Sequence, residues 1–328
     1  VKPSDEIRVL AGLYNEVAKR TGNKMIKADD SPIDVSEIAD ELLDHISQSL
    51  VISGNNHPQC QILVNGINEM LQNTGNTVDF SHPLNLFEGN DDEIVELIDD
   101  MKKGNVGALM IAGANPLYDY PDSKGFSDGL KNVDMSVSYA VSPDETTTAT
   151  KFICPVNHYL ESWDDAALTD TQLYLAQPVI NPLFDTRSLQ DSLLILLGRN
   201  TSYHEFIQSF WKENYYDQSS DFNSWWNQTL QKGILNFDKI ESENVSFQPS
   251  AIESLTIDYK QESEGFELVC YESIQMGSGK QSNNPWLQEL PDPISKHCWE
   301  NVLMISVEDA KKMGLKNGAH VKVHDNLE

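Results

Sequence analysis

Three short polar segments, each directly after an apolar run, carry the groups best suited to holding a ligand. Gly54-Asn55-Asn56 comes after Leu50-Val51-Ile52, Gly113-Ala114-Asn115-Pro116 after Ala108-Leu109-Met110-Ile111-Ala112, and Asp144-Glu145-Thr146 after a run that begins at Met135. Asn amides and the backbone N–H groups of a glycine turn suit a phosphate or a purine edge, and a carboxylate can accept a pair of N–H donors. The same residue types also form turns for local reasons alone, so both readings stand.

Other chemistries are excluded by spacing. The four cysteines, Cys60, Cys154, Cys270 and Cys298, form no Cys-x-x-Cys pair, so there is no local zinc knuckle, thioredoxin motif or ferredoxin-type run. Cys154, in Phe152-Ile153-Cys154-Pro155, reads as a small hydrophobe at a buried strand end. His320 and His324 flank valines that favour a strand, where positions four apart lie roughly 13 Å from each other and cannot share one ion. His158 and His297 stand alone. Neither a Gly-x-Ser-x-Gly elbow nor a phosphate-binding Gly-x-x-x-x-Gly-Lys-Ser/Thr loop is present. No residue is assigned a catalytic or metal-binding role.

The elements that must position these segments are legible in the periodicity. Helical spacing covers 32–50, with Ser36 as a cap, and recurs around Ile62 to Leu71 and over 91–103, where Asp91 and Asp92 open the helix and Lys102 and Lys103 close it. Strands are expected at 50–52, 77–80, 108–112, 135–141 and 151–154. The continuous apolar run at 108–112 reads as a strand buried on both faces. Strand, turn and helix alternate, which predicts a parallel sheet with flanking helices and polar strand-end loops gathered on one rim. Residues 157–187 lack a period and read as a long surface excursion. Helical patterns return at 188–213, with the stripe Tyr203, Phe206, Ile207, Phe210, Trp211 read as core. Residues 214–250 read as a connector. After it come β-rich runs at 255–259, 266–271, 302–305 and 319–324, which suggest a small barrel, here truncated. The domains expected are thus 1–213, an α/β domain, and 251–328, a partial β-barrel.

The chain has 328 residues, with 23 Lys+Arg against 51 Asp+Glu and a formal net charge of −28. So acidic a surface repels phosphate backbones and anionic lipid, which argues against nucleic-acid partners. No stretch approaches the about 20 apolar residues of a membrane span. The chain starts at Val1 and shows no signal-peptide pattern at its start, and it reads as an internal piece of a longer protein.

Several motifs resemble one superfamily. Ala112-Gly113-Ala114-Asn115-Pro116 with Tyr120-Pro121-Asp122 resembles the Gly-x-Asn-Pro segment of molybdopterin oxidoreductases, and Asp144-Glu145-Thr146 before Ile153-Cys154-Pro155 resembles their Glu-Thr-Ala…Val-Leu-Pro segment, with Cys154 where Leu is usual. The runs His158-Tyr159-Leu160-Glu161-Ser162-Trp163-Asp164-Asp165, Gln177-Pro178, Asp185-Thr186-Arg187 and Asn283-Asn284-Pro285-Trp286-Leu287-Gln288-Glu289-Leu290-Pro291-Asp292-Pro293 narrow this to the large iron–sulfur, molybdopterin-like subunit of alternative complex III, a quinol:cytochrome c oxidoreductase. The resemblance covers about residues 45–328. It implies an α/β domain followed by a double-psi-type β-barrel. It implies strand-end loops that in pterin-binding relatives hold a guanine dinucleotide, here Gly113, Asn115, Asp144 and Glu145, and with them Gly54, Asn55 and Asn56. It implies a scaffold role without a redox centre of its own, with iron–sulfur clusters outside this piece and molybdopterin guanine dinucleotide as the cofactor of the wider family, not of this piece. Trp163, Trp286 and Trp299 are then packing or interface residues, and Asp164 and Asp165 surface acids. The implied partners are a membrane quinol-oxidising subunit and cytochrome c subunits, at the periplasmic face of the bacterial inner membrane. Two alternatives remain open: part of a true molybdenum reductase of a sulfur or oxo compound, and an acidic interaction module without enzymatic activity.

Overall fold

The computed structural model describes the chain except residues 81–82, 86–88, 238–245, 254, 256, 258–264 and 324–328. It divides into two compact units, Val1–Cys270 and Tyr271–Glu328.

The first unit opens with helices rather than alternating strands. α1 (Glu6–Thr21) buries Leu10, Leu13, Tyr14 and Val17, a helical stripe, and Gly22 closes it in the left-handed conformation at φ 76°. That stripe packs with α2 (Ser36–Asp44) and with Cys60, Leu63, Val64 and Ile67 of α3 (Pro58–Met70). Ser36 is the first helical residue and not the cap; its N–H and hydroxyl both bond the carboxylate of Asp34. The strand expected at 50–52 is absent. Its place is taken by a side chain: Asn68 accepts from the Val51 N–H at 3.0 Å and donates to the Val51 carbonyl at 2.8 Å, supplying both bonds a neighbouring strand would give. At 77–80, likewise, there is only an isolated bridge between Thr74 and Val78.

The expected alternation begins at α4 (Asp91–Lys103). Asn90 caps it, three acids fill its first turn, two lysines its last, and Gly104 ends it. Then follow β1 (Ala108–Ala112), α5 (Pro116–Asp119), α6 (Ser123–Leu130), β2 (Met135–Ala140), α7 (Glu145–Ala149) and β3 (Phe152–Pro155). The three strands form a parallel sheet in the order β1-β2-β3. Ile98 and Met101 of α4, Phe126 and Leu130 of α6, and Ile111 of β1 share one core. Gly129 lets the two helices approach, since a Cβ there would lie 3.0 Å from that of Met101. β1 is an edge strand and is not buried on both faces. Ile111 faces the helices, while Met110 is 51% exposed, on the face it shares through the register with Val137 and with Phe152, 57% exposed.

Residues 157–187 contain a hairpin that the aperiodic pattern concealed, β4 (Asp164–Thr169) and β5 (Gln172–Ala176). β6 (Ile234–Asn236) joins it antiparallel to β5. Against this sheet lie α9 (Tyr203–Asn214) and α10 (Phe222–Lys232), the former preceded by α8 (Leu189–Leu196). Of the stripe on α9 read as core, Ile207 and Trp211 are buried and Tyr203 packs beside them, while Phe210 is exposed. The segment read as a connector also contributes to this core, because Trp225 and Trp226 of α10 are buried against Trp211. Asp165 is not a free surface acid. It is half-buried and accepts from Trp211 Nε1 at 2.8 Å and from the Tyr203 hydroxyl at 3.2 Å. Burial, and next the charge of Asp165, push the Tyr203 phenol well above its ordinary value. α11 (Pro249–Glu253) returns to the first core through Ile252.

In the second unit the described residues hold α12 (Pro285–Gln288), α13 (Val307–Lys312) and one isolated bridge, Ser273 with Gly277. The runs 266–271, 302–305 and 319–323 are not strands, and the described residues of the second unit pair no strands into a barrel. A β-rich run becomes a strand only when another strand satisfies its N–H and C=O groups, and none among the described residues lies beside these. The run 255–259 lies largely outside the described residues, as does His324.

Trp211, fully buried, should be the costliest single truncation: Trp211→Ala is expected to lower unfolding free energy by about 3–5 kcal/mol in urea denaturation. For Tyr203, the raised phenol gives stability that is complete below the unfolded value near pH 10 and is lost as pH rises beyond it. Denaturation at increasing alkaline pH should show that decline in the wild type and a shallower one in Tyr203→Phe.

Candidate functional site

The carboxyl ends of β1 and β2 present the loops that carry Gly113, Asn115, Asp144 and Glu145. β1 turns at Gly113, whose φ of 64° strains any residue with a Cβ and whose N–H donates to the Tyr139 carbonyl at 3.4 Å. This turn delivers Asn115 to the start of α5. Its side chain does not cap that helix but reaches across to α7. Asn115 Oδ1 accepts from the Thr146 N–H at 3.2 Å and from the Thr146 hydroxyl at 2.6 Å, and Nδ2 donates to Glu145 Oε2 at 2.8 Å. Thr146, fully buried, completes the latch by accepting from the Leu117 N–H at 3.1 Å. Asp144 begins α7 with a capping box: Oδ1 accepts from the Thr147 N–H at 2.7 Å, and Thr147 Oγ1 accepts from the Asp144 N–H at 2.6 Å. The amide of Asn115, foremost, holds the Glu145 carboxyl below its ordinary value.

These four candidates therefore meet at one rim. Gly54, Asn55 and Asn56 do not follow a strand of this sheet, so two loops and not three form it. They lie in the turn before α3, where Asn55 accepts from the His57 N–H at 2.9 Å and where Ser53 is held by Glu6 at 2.6 Å. That turn is an entry to a helix, shaped by local bonds.

Two residues of consequence escaped the sequence reading. Thr146 was seen only as part of a polar turn, yet it is the hub of the latch. Glu161, also buried, accepts from the His158 N–H at 2.9 Å and the Leu183 N–H at 3.0 Å, which pins the loop after β5 to the segment before β4. The only sequence trace of either was spacing: an acid three residues before Thr147 and one three residues after His158, both capping-box patterns.

The rim side chains suit some ligands and oppose others. Glu145 Oε1 is the carboxylate oxygen not engaged by Asn115 and could accept an N–H donor. The oxygen of Asn115 is already accepting twice, and Asp144 and Glu145 are both acids, so these side chains favour an amide-like edge and disfavour phosphate. Among the described residues no group of three or more His, Cys, Asp and Glu is placed to hold a metal ion.

The chain resembles molybdopterin oxidoreductase-like subunits, as its motifs implied. It is 27% identical over 216 residues, 63% of its length, to the menaquinone reductase, molybdopterin-binding-like subunit of Nitratidesulfovibrio vulgaris strain Hildenborough, and spans 30% of that protein. Among solved structures, acetylene hydratase from Pelobacter acetylenicus matches 32% of this chain and 15% of its own, at 21% identity and a TM-score of 0.28, a likeness too slight to bear on the fold. No family model matches.

Asn115→Leu keeps the size of the side chain and removes all three of its bonds. Leaving the buried Thr146 donors unpaired should cost about 1–3 kcal/mol, read by urea denaturation, with hydrogen-exchange protection lost first in α7.

Proposed function

We propose that this chain is the scaffold part of an electron-transfer oxidoreductase subunit, of the molybdopterin oxidoreductase-like type, working in a quinone-linked respiratory complex. The observation that carries this reading is the rim. Its polar side chains bond to one another, and its two carboxylates oppose the phosphates of a guanine dinucleotide. A loop of this kind holds the sheet together and does not need a cofactor to complete it. The similarity to a subunit whose own name is molybdopterin-binding-like supports the same reading.

In this proposal the parent belongs to a multi-subunit assembly at the periplasmic face of the bacterial inner membrane, beside a membrane quinol-oxidising subunit and cytochrome c subunits, as in alternative complex III. No helix among the described residues is long and apolar enough to cross a membrane, so contact with the bilayer is assigned to partners. Iron–sulfur clusters are assigned to other parts of the parent. The partial β-barrel domain expected at 251–328 is assigned to the double-psi type, whose strands would form against segments that supply their partners. Exposed Phe266, Leu268, Val269 and Val302 are consistent with such pairing.

The decisive experiment uses the full-length parent, purified anaerobically, with metal analysis and a released-pterin fluorescence assay on one sample. Iron without molybdenum, tungsten or pterin is the expected result. Stoichiometric molybdenum or tungsten with pterin would overturn the scaffold reading in favour of a molybdenum reductase.

A further inference from the structure

The chain has four arginines, and they are not used alike. Arg8 bonds Asp5 at 2.9 Å, and Arg20 bonds Asp40 at 2.7 Å and also Glu16. Among the described residues no carboxylate lies within 4.0 Å of the guanidinium of Arg187 or Arg199. Both arginines line one open cleft of about 350 Å³.

The sequence explains the convergence. Arg187, Asp191, Ile195 and Arg199 recur every four residues along α8 and its flanks, the spacing that stacks side chains on one helix face. The α8–α9 turn, through Thr201, Ser202 and Glu205, forms the facing wall. Of the two acids in the cleft, Asp191 has both carboxylate oxygens engaged and Glu205 bonds through Oε2. Asp191 accepts from the Ser188 hydroxyl and from the Tyr203 N–H, each at 2.6 Å. Glu205 accepts from the Ser202 N–H at 3.0 Å, the Ser202 hydroxyl at 3.1 Å and the Thr201 hydroxyl at 3.0 Å. The Arg199 guanidinium stands 5.6 Å from the centre of the Phe206 ring, which steadies it without neutralising it. Ile195 contributes an apolar wall, and Leu196 and Leu197 beside it are exposed, Leu197 to 72%.

We propose that this cleft binds a carboxylate carried on an apolar stem, with Arg187 and Arg199 holding the carboxylate and Ile195 the stem. A guanidinium matches a carboxylate through two parallel N–H bonds, and a second one adds charge. The volume is at the small end for ligand clefts and suits a short acid, not a dinucleotide. The inference is independent of the scaffold reading, because it concerns α8 and not the rim. The carboxylate has two possible sources, a free short-chain acid or an acidic side chain of a protein segment.

The test uses the whole chain, followed by NMR of the Ile methyl groups, with three probes: acetate, hexanoate and the peptide acetyl-Leu-Leu-Glu-Leu-amide. Hexanoate is expected to saturate the Ile195 signal at least about three-fold more tightly than acetate, through its extra methylenes. In the double variant Arg187→Gln, Arg199→Gln, affinity should fall about ten-fold or more. Both guanidiniums belong to exposed residues, so the variant should fold, as far-UV circular dichroism will verify; Arg187→Gln alone serves if it does not. Tighter binding of the peptide than of hexanoate assigns the carboxylate to a protein segment, and the reverse order assigns it to a free acid; either supports the site. Absence of saturable binding by all three probes, equal affinity for acetate and hexanoate, or variants that bind like the wild type would overturn it.

Discussion

The carboxamide of Asn115 joins the loop after β1 to the loop after β2 through one buried hydroxyl, that of Thr146. The side-chain polar atoms of Asn115 and Thr146 are all partnered: the amide oxygen accepts twice, the amide nitrogen reaches Glu145, and the threonine hydroxyl donates to Asn115 while accepting from Leu117. Thr146 is inaccessible to water, so its donors depend on Asn115 alone. The latch fixes where α5 and α7 start, and hence how the two crossovers return to the sheet. It also fixes what the rim can offer. Groups that would meet a ligand in an open loop are here spent on one another.

A second consequence concerns charge. With a net charge of −28 the chain carries a large repulsive burden, and part of its acidity is turned into structure. Asp122, Asp144 and Asp221 each accept from a backbone N–H in the first turn of a helix. Asp165 anchors Trp211 and Tyr203, and Glu161 anchors a loop. The acids therefore do more than solvate the surface. They place helix starts, while in the cleft beside α8 two guanidiniums lie, among the described residues, more than 4.0 Å from any carboxylate.

Apolar surface sets the remaining pattern. Three separate cores are built, one from α1, α2 and α3, one from the parallel sheet with α4 and α6, and one from aromatic residues of α9 and α10 on the antiparallel sheet. Around them lie apolar side chains in the open: Met110 and Phe152 on one sheet face, Ile195 to Leu197 at the end of α8, and Trp286, 85% exposed, in the second unit. Parallel sheets are ordinarily covered on both faces, and this one is covered by helices on the face that holds Ile111.

The sequence by itself determined the elements whose information is local. The α4 helix announced its own ends through Asp91, Asp92, Lys102 and Lys103; β1 was legible as a continuous apolar run broken by Gly113-Ala114-Asn115-Pro116, and β2 as Met135 to Ala140 ahead of the Asp144-Glu145-Thr146 turn. The motifs likewise pointed to molybdopterin oxidoreductase-like subunits. Tertiary structure alone decided the rest, because it turned on who the neighbours are. Leu50-Val51-Ile52 has strand propensity, but Asn68 took the place of a strand partner. Asp165 looked like a surface acid until Trp211 and Tyr203 closed on it. Trp225 and Trp226 looked like part of a linker until they met Trp211. Gly54-Asn55-Asn56 and Gly113-Ala114-Asn115 both pair a glycine with asparagine, yet only the second lies at a strand end. Hydrogen-bond partners and burial are properties of pairs distant in sequence, and no local pattern of residue types encodes them.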